Sequence, residues 1–211
     1  MNNYQEFARE NIINMNPNSD TSIEDTTLKI TVDGQSKCFE FGDLKKFHQG
    51  DSWFGCAVGF RVMQIAAREL SNTTLWSRED LYIVSGHPGE GVKDAIELIT
   101  STVSSNHFRL LDNVPSQGCS KRMKFEWWIS DGKQTLHIKM NNNVVPEQFF
   151  TKLDQLSNDD ALTDDERGSK HKEFDKLKTD LSNDVWDRPL NANFMFDFLS
   201  SPLKAGELPD E

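Results

Sequence analysis

No stretch of this 211-residue sequence stays apolar and uncharged for the roughly 18–20 residues a membrane span requires, so no helix of it is expected to cross a bilayer. Basic charge is also short. Twenty-three Lys and Arg face 34 Asp and Glu, a net of −11, which repels polyanions at long range and removes nucleic acid and anionic lipid as expected partners. Cysteine is scarce: Cys38, Cys56 and Cys119 are odd in number and widely spaced, with no Cys-x-x-Cys pair. The opening Met1-Asn2-Asn3-Tyr4-Gln5-Glu6 has neither a basic start nor an apolar run. The expectation is a cytoplasmic chain and not an exported disulfide scaffold. There is no Gly-x-Ser-x-Gly elbow and no His-x-x-x-His pair, and the cluster Gly86, Gly89, Gly91 lacks the Lys-Ser or Lys-Thr ending of a phosphate loop.

What is present is enough apolar surface to fold. Hydrophobic residues make up 36% of the chain, with 14 Phe and 5 Trp, so burial can offset ordering entropy. Tyr4, Phe7, Ala8 and Ile12 recur at helical spacing. Leu28, Ile30 and Val32 alternate up to Asp33-Gly34, and Phe39 and Phe41 alternate beyond it, which predicts a hairpin. From Gly55 to Leu70, Val58, Val62, Ile65, Ala66 and Leu70 share a helical face, while Ala57, Gly59 and Ala67 allow close packing.

Leu81 to Val84 reads as a strand, and the loop Gly86 to Gly91 opens a helix marked by Val92, Ala95, Ile96 and Ile99. Strands follow at Phe108 and Leu110, at Met123, Phe125, Trp127 and Ile129, and, after Asp131-Gly132, at Leu136, Ile138 and Met140. Alternation sends Trp127 and Trp128 to opposite faces and His137 to the face opposite Leu136, where solvent is expected. Helices are predicted from Pro146 to Leu156 and after the capping box Thr163-Asp164-Asp165-Glu166. Phe194, Phe196, Phe198 and Leu199 bring the chain back to pack.

These elements predict an α+β class, a mixed and largely antiparallel sheet packed by helices, with helical N- and C-terminal extensions. Three parts are expected: residues 1–42 as helix and hairpin, 43–157 as the α+β core, and 158–211 as an acidic helical extension. Residues 152–211 hold 15 acids and 8 bases, read as a solvated face.

Two segments collect the polar groups that sites need. They are Phe47 to Cys56 and Gly86 to Asp94, each leading into an apolar helix whose start favours an anion or thiolate. His48, Cys56 and His87 offer the imidazole and thiolate donors that zinc takes up, with Asp51 and Glu90 as oxygen donors. Each has a plainer use: His48 as a helix-end hydrogen-bonder, Cys56 as a small buried residue, His87 as a turn residue, and Glu90 and Asp94 as complements to a helix dipole. Trp53, Gly89 and Gly91 are the candidate contacts to a small bound molecule, since glycine lets a ligand approach the backbone.

At these two segments the chain resembles the FmdE-like family, named for a small component of formylmethanofuran dehydrogenase. The family's His-Gly-His-x-Cys-Pro-Gly run entering a helix is matched by Phe47-His48-Gln49-Gly50-Asp51-Ser52-Trp53-Phe54-Gly55-Cys56-Ala57-Val58-Gly59-Phe60-Arg61. Its second signature, a Gly- and Cys-rich turn before Asp-Ala-Ile, is matched by Gly86 to Gly91 and Asp94-Ala95-Ile96. The resemblance covers roughly residues 43–145. It implies a mixed α+β domain, a homodimer, and zinc held by His and Cys near two helix starts. The chain departs from the family where the metal-binding Cys gives way to Trp53 or Phe54, where Cys56 stands a few positions late, and where the second turn has no cysteine.

Three functions follow as expectations: a metal-dependent pocket with His48, Cys56 and His87, its reaction unknown; a non-catalytic module binding a small ligand; or an accessory component of a redox complex.

Overall fold

The computed structural model describes residues 26–71, 74–157 and 164–209. The expected helix of Tyr4 to Ile12 and the capping residue Thr163 lie outside them. Strands β1 (Thr27–Val32) and β2 (Gln35–Glu40) form the predicted hairpin, closed by Asp33 at φ 50 and Gly34 at φ 74. Two consecutive positive φ values are the geometry of a turn whose twist matches the strands it joins, and Asp-Gly supplies it. Phe41 does not extend β2 as its alternation suggests. It opens helix α1 (Phe41–Phe47), where the Asp43 carboxylate accepts the Glu40 N–H at 3.0 Å and completes a capping box.

Helix α2 (Trp53–Leu70) is the buried centre of the molecule, with thirteen of its 18 residues buried. After strand β3 (Tyr82–Ser85) comes helix α3 (Glu90–Thr100), whose last carbonyls at Leu98 and Ile99 accept hydrogen bonds from the Arg78 guanidinium at 2.9 Å. A cation at that end also complements the helix dipole. Then follow β4 (Phe108–Leu110), β5 (Glu126–Ser130), β6 (Thr135–Met140), α4 (Glu147–Ser157), α5 (Asp164–Asp187), α6 (Leu190–Asn193) and β7 (Phe194–Phe198).

The five-stranded sheet has the order β4-β3-β5-β6-β7, parallel only between β3 and β4. The α+β class read from the sequence is therefore the observed one. Met123 and Phe125, expected within a strand, precede β5, although the Phe125 carbonyl still accepts from the Met140 N–H of β6 at 2.9 Å and the Lys124 N–H donates to the Gly86 carbonyl at 2.8 Å. The C-terminal part is more than a helical extension. Phe174, Leu181, Val185, Leu190 and Phe194 enter the same core as α2, and β7 completes the sheet. Among the described residues no helix is long and apolar enough to cross a membrane.

Trp127 and Trp128 point to opposite faces, as alternation requires. Trp127, Ile138 and Phe196 stand in register on the face toward the helices, and Trp127 is fully buried. The other face is not open to solvent. Residues 199–209 cross it, tied down where Ser130 Oγ donates to the Leu203 carbonyl at 2.7 Å and Tyr82 OH donates to the Glu207 carbonyl at 2.8 Å. Beneath them Tyr82, Val84, Leu111, Trp128 and Leu203 form a second, smaller core. His137, expected in solvent, is half-buried and lies flat on Trp128, ring centres 4.6 Å apart and planes at 2°. The alternation of β6 holds; the cover over that face comes from a distant segment that alternation does not reveal.

Candidate functional site

The two polar segments meet because α2 and α3 pack start to start. A Cβ on Gly91 would fall 2.7 Å from the Cys56 nitrogen and 3.0 Å from its sulfur, and one on Gly59 would fall 2.8 Å from the Ala95 Cβ. A Cβ on Gly55 would fall less tightly, 3.3 Å from the Val92 nitrogen. Only glycine permits two helix backbones to come this near, and Gly91 serves this packing.

His48 closes α1 and turns its ring under the start of α2. Its Nδ1 lies 2.6 Å from Asp94 Oδ2, and the Ser52 N–H donates to its Nε2 at 3.1 Å. A nitrogen that accepts from a backbone N–H carries no hydrogen, so the imidazole hydrogen sits on Nδ1 and is donated to Asp94. Trp53 covers the ring edge-on at 5.3 Å, and Gly50 leaves room for it, since a Cβ there would lie 3.1 Å away. Trp53 is itself half-buried, and its carbonyl accepts from Ser182 Oγ of α5 at 3.3 Å. Cys56 is fully buried next to this pair. Burial, and after it the charge of Asp94, pushes its thiol up to about 12.

His87 occupies a separate place. Its Nδ1 accepts the Gly89 N–H at 3.1 Å, its own N–H donates to Ser85 Oγ at 3.0 Å, and Ser85 Oγ donates back to the His87 carbonyl at 3.0 Å. The ring is edge-on to Phe125 at 4.8 Å and nearly parallel to Trp127 at 6.3 Å. Burial in these aromatic surroundings, followed by the charge of Lys93, lowers its pKa to about 4, so the ring is neutral near pH 7. Gly89 is required by this ring, because a Cβ there would lie 2.6 Å from His87 Cε1.

The donors of a zinc site are therefore not grouped at one point. Both ring nitrogens of His48 are taken, Cys56 holds its proton firmly, and Asp51 and Glu90 are exposed. Among the described residues no three His, Cys, Asp or Glu side chains are grouped to hold a metal ion. The residues present do not fit zinc, which requires four donors converging on one point or three with an open position.

Three participants escape a reading by local spacing. Asp94 has the position of a complement to the helix dipole, yet it is the partner of His48, 46 residues away. Cys119, in no motif, arrives from the loop before β5 and brings its sulfur within 3.8 Å of where a Gly89 Cβ would be. Phe125, which alternates like a strand residue, is a wall. Together with Glu126, Lys139, Met140, Asn141, Asn142, Val145 and Phe150 it lines a surface cavity of about 210 Å³. Nothing in local spacing links β5, β6 and α4 at that point; the sheet register does.

No protein-family model matches the chain, and no curated protein is significantly similar to it.

Proposed function

We propose that the chain is a non-catalytic, small-ligand-binding module of the kind the FmdE-like resemblance suggests, with its ligand in the cavity between Phe125 and Phe150. The observation that carries this reading is a contrast. At the helix starts both nitrogens of His48 and Nδ1 of His87 are spent on internal hydrogen bonds, and Cys56 is buried with its proton. The cavity is lined by apolar Phe125, Met140, Val145 and Phe150 and by polar Glu126, Lys139, Asn141 and Asn142, the mix of groups a ligand pocket uses. Its volume suits a molecule smaller than a drug.

Elemental analysis of chain purified without chelator or affinity metal tests the contrast, run beside the His48→Ala, His87→Ala double variant. The reading predicts no bound metal. Near-stoichiometric zinc that disappears in the double variant would overturn it in favour of a metal-dependent pocket.

A homodimer is a second part of the proposal, favoured by β7. This strand lies at the edge of the sheet, and Met195 and Phe198 are 55% and 38% exposed, two of the four large hydrophobic side chains exposed among the described residues. An apolar edge strand offers unpaired N–H and C=O groups to another copy.

A further inference from the structure

Behind the cavity wall stands an N–H donor without an acceptor. Trp127 Nε1 is buried and has no hydrogen-bond partner. Beside it, His87 Nδ1 accepts from Gly89, so the ring hydrogen sits on Nε2 as a further donor. Buried donors are nearly always paired, and an orphan asks for a water, an ion or a ligand group. Here the two donor rings are neighbours, 6.3 Å apart at 20°. Phe125 is edge-on to both, at 4.8 Å from His87 and 6.5 Å from Trp127, and its ring also lines the cavity. One half-buried phenyl ring thus stands between the open pocket and the rings of Trp127 and His87.

Resting on the ligand-binding reading above, we propose that the cavity takes a small uncharged carbonyl compound, an amide or an aldehyde. Its apolar part lies on Met140, Val145 and Phe150, and its oxygen accepts from Trp127 and His87 once the Phe125 ring turns aside. The absence of charge follows from the surroundings. Both donors are neutral, and a carboxylate placed among Phe125, Trp127 and Phe194 would bury an anion against aromatic rings with neither donor able to neutralise it. The cation at the mouth, Lys139, is already held by Glu126 at 3.1 Å. An alcohol could accept as well, but it would bring a hydroxyl hydrogen into a site that offers only donors, so a carbonyl fits best.

The test is a proton–nitrogen correlation spectrum of the full chain, which contains five Trp and hence five indole N–H signals. The Trp127→Phe variant identifies the Trp127 signal by its loss. Benzamide is added as the carbonyl probe and toluene as the probe that lacks an acceptor. The inference predicts that benzamide moves the Trp127 indole signal downfield with saturation, that toluene shifts only signals of the cavity lining, and that Trp127→Phe weakens benzamide about tenfold, the loss of one net hydrogen bond. If benzamide and toluene perturb the lining alike and leave the indole unmoved, the ligand class is wrong while the binding site stands. If neither probe perturbs the lining, the binding reading itself fails.

Discussion

The His48 imidazole donates from Nδ1 to the Asp94 carboxylate across 2.6 Å, joining the end of α1 to the first turns of α3. With Ser52 N–H on the other ring nitrogen, one side chain fixes the loop that leads into α2. His48→Ala is expected to destabilise the fold by about 2 kcal/mol, the range for a hydrogen bond to a charged group plus an unpaired backbone donor. Urea unfolding measures it. A variant as stable as the wild type would show that the pair does no structural work.

Helix packing at glycine gives a second prediction. Gly91→Ala places a methyl group against the Cys56 backbone and should cost about 1–3 kcal/mol through overpacking. Gly168→Ala, in the open on α5, should instead stabilise by about 0.5–1 kcal/mol, because alanine loses less backbone entropy in a helix. Thermal unfolding of the two variants should move in opposite directions.

His87 makes stability depend on pH. Its folded pKa of about 4 lies below the unfolded value, so the unfolded chain binds a proton that the folded chain refuses. Its contribution is complete above roughly pH 6.5 and falls as pH drops toward about 4, by about 3 kcal/mol in total. In His87→Phe that part of the slope should vanish. An unchanged slope between those limits would assign the acid sensitivity to other groups.

Thiol labelling separates the cysteines. Cys38 is exposed and Cys56 is fully buried with its pKa pushed up to about 12, so iodoacetamide at pH 8 should modify Cys38 in the folded chain and Cys56 only on unfolding. Mass mapping of the modified peptides reads this directly.

At the sheet edge, Met195→Lys with Phe198→Lys should convert a dimer into a monomer, as charge on an edge strand blocks pairing. Light scattering after size-exclusion chromatography gives the mass. A wild-type monomer, or a dimer that survives both charges, would remove β7 as the interface.

Much of the fold can be read from period alone. The faces of α2 and α3 and the Asp33-Gly34 and Asp131-Gly132 turns follow from spacing that local physics enforces. Helix α1 cannot be found that way, since its seven residues bury only Leu44. Strand β7 is harder to see, because Phe194, Phe196 and Phe198 alternate but the apolar Met195 between them blurs the pattern. At the site, spacing picks out His48, Cys56 and His87 as polar or nucleophilic groups at helix starts, but not what engages them. Asp94, Ser52 and Gly89 satisfy two of these side chains through contacts that only the meeting of α2 and α3, or a tight turn, creates. A histidine bonded at both nitrogens has the same spelling as one that binds zinc.

The most direct test of the account is a saturation-transfer difference spectrum with a set of small aromatic fragments, recorded on the wild type and on Val145→Trp, which fills the cavity. The account predicts transfer to fragments in the wild type that is lost in the variant while the fold, followed by circular dichroism, is retained. Equal transfer in both, or none in either, would contradict it.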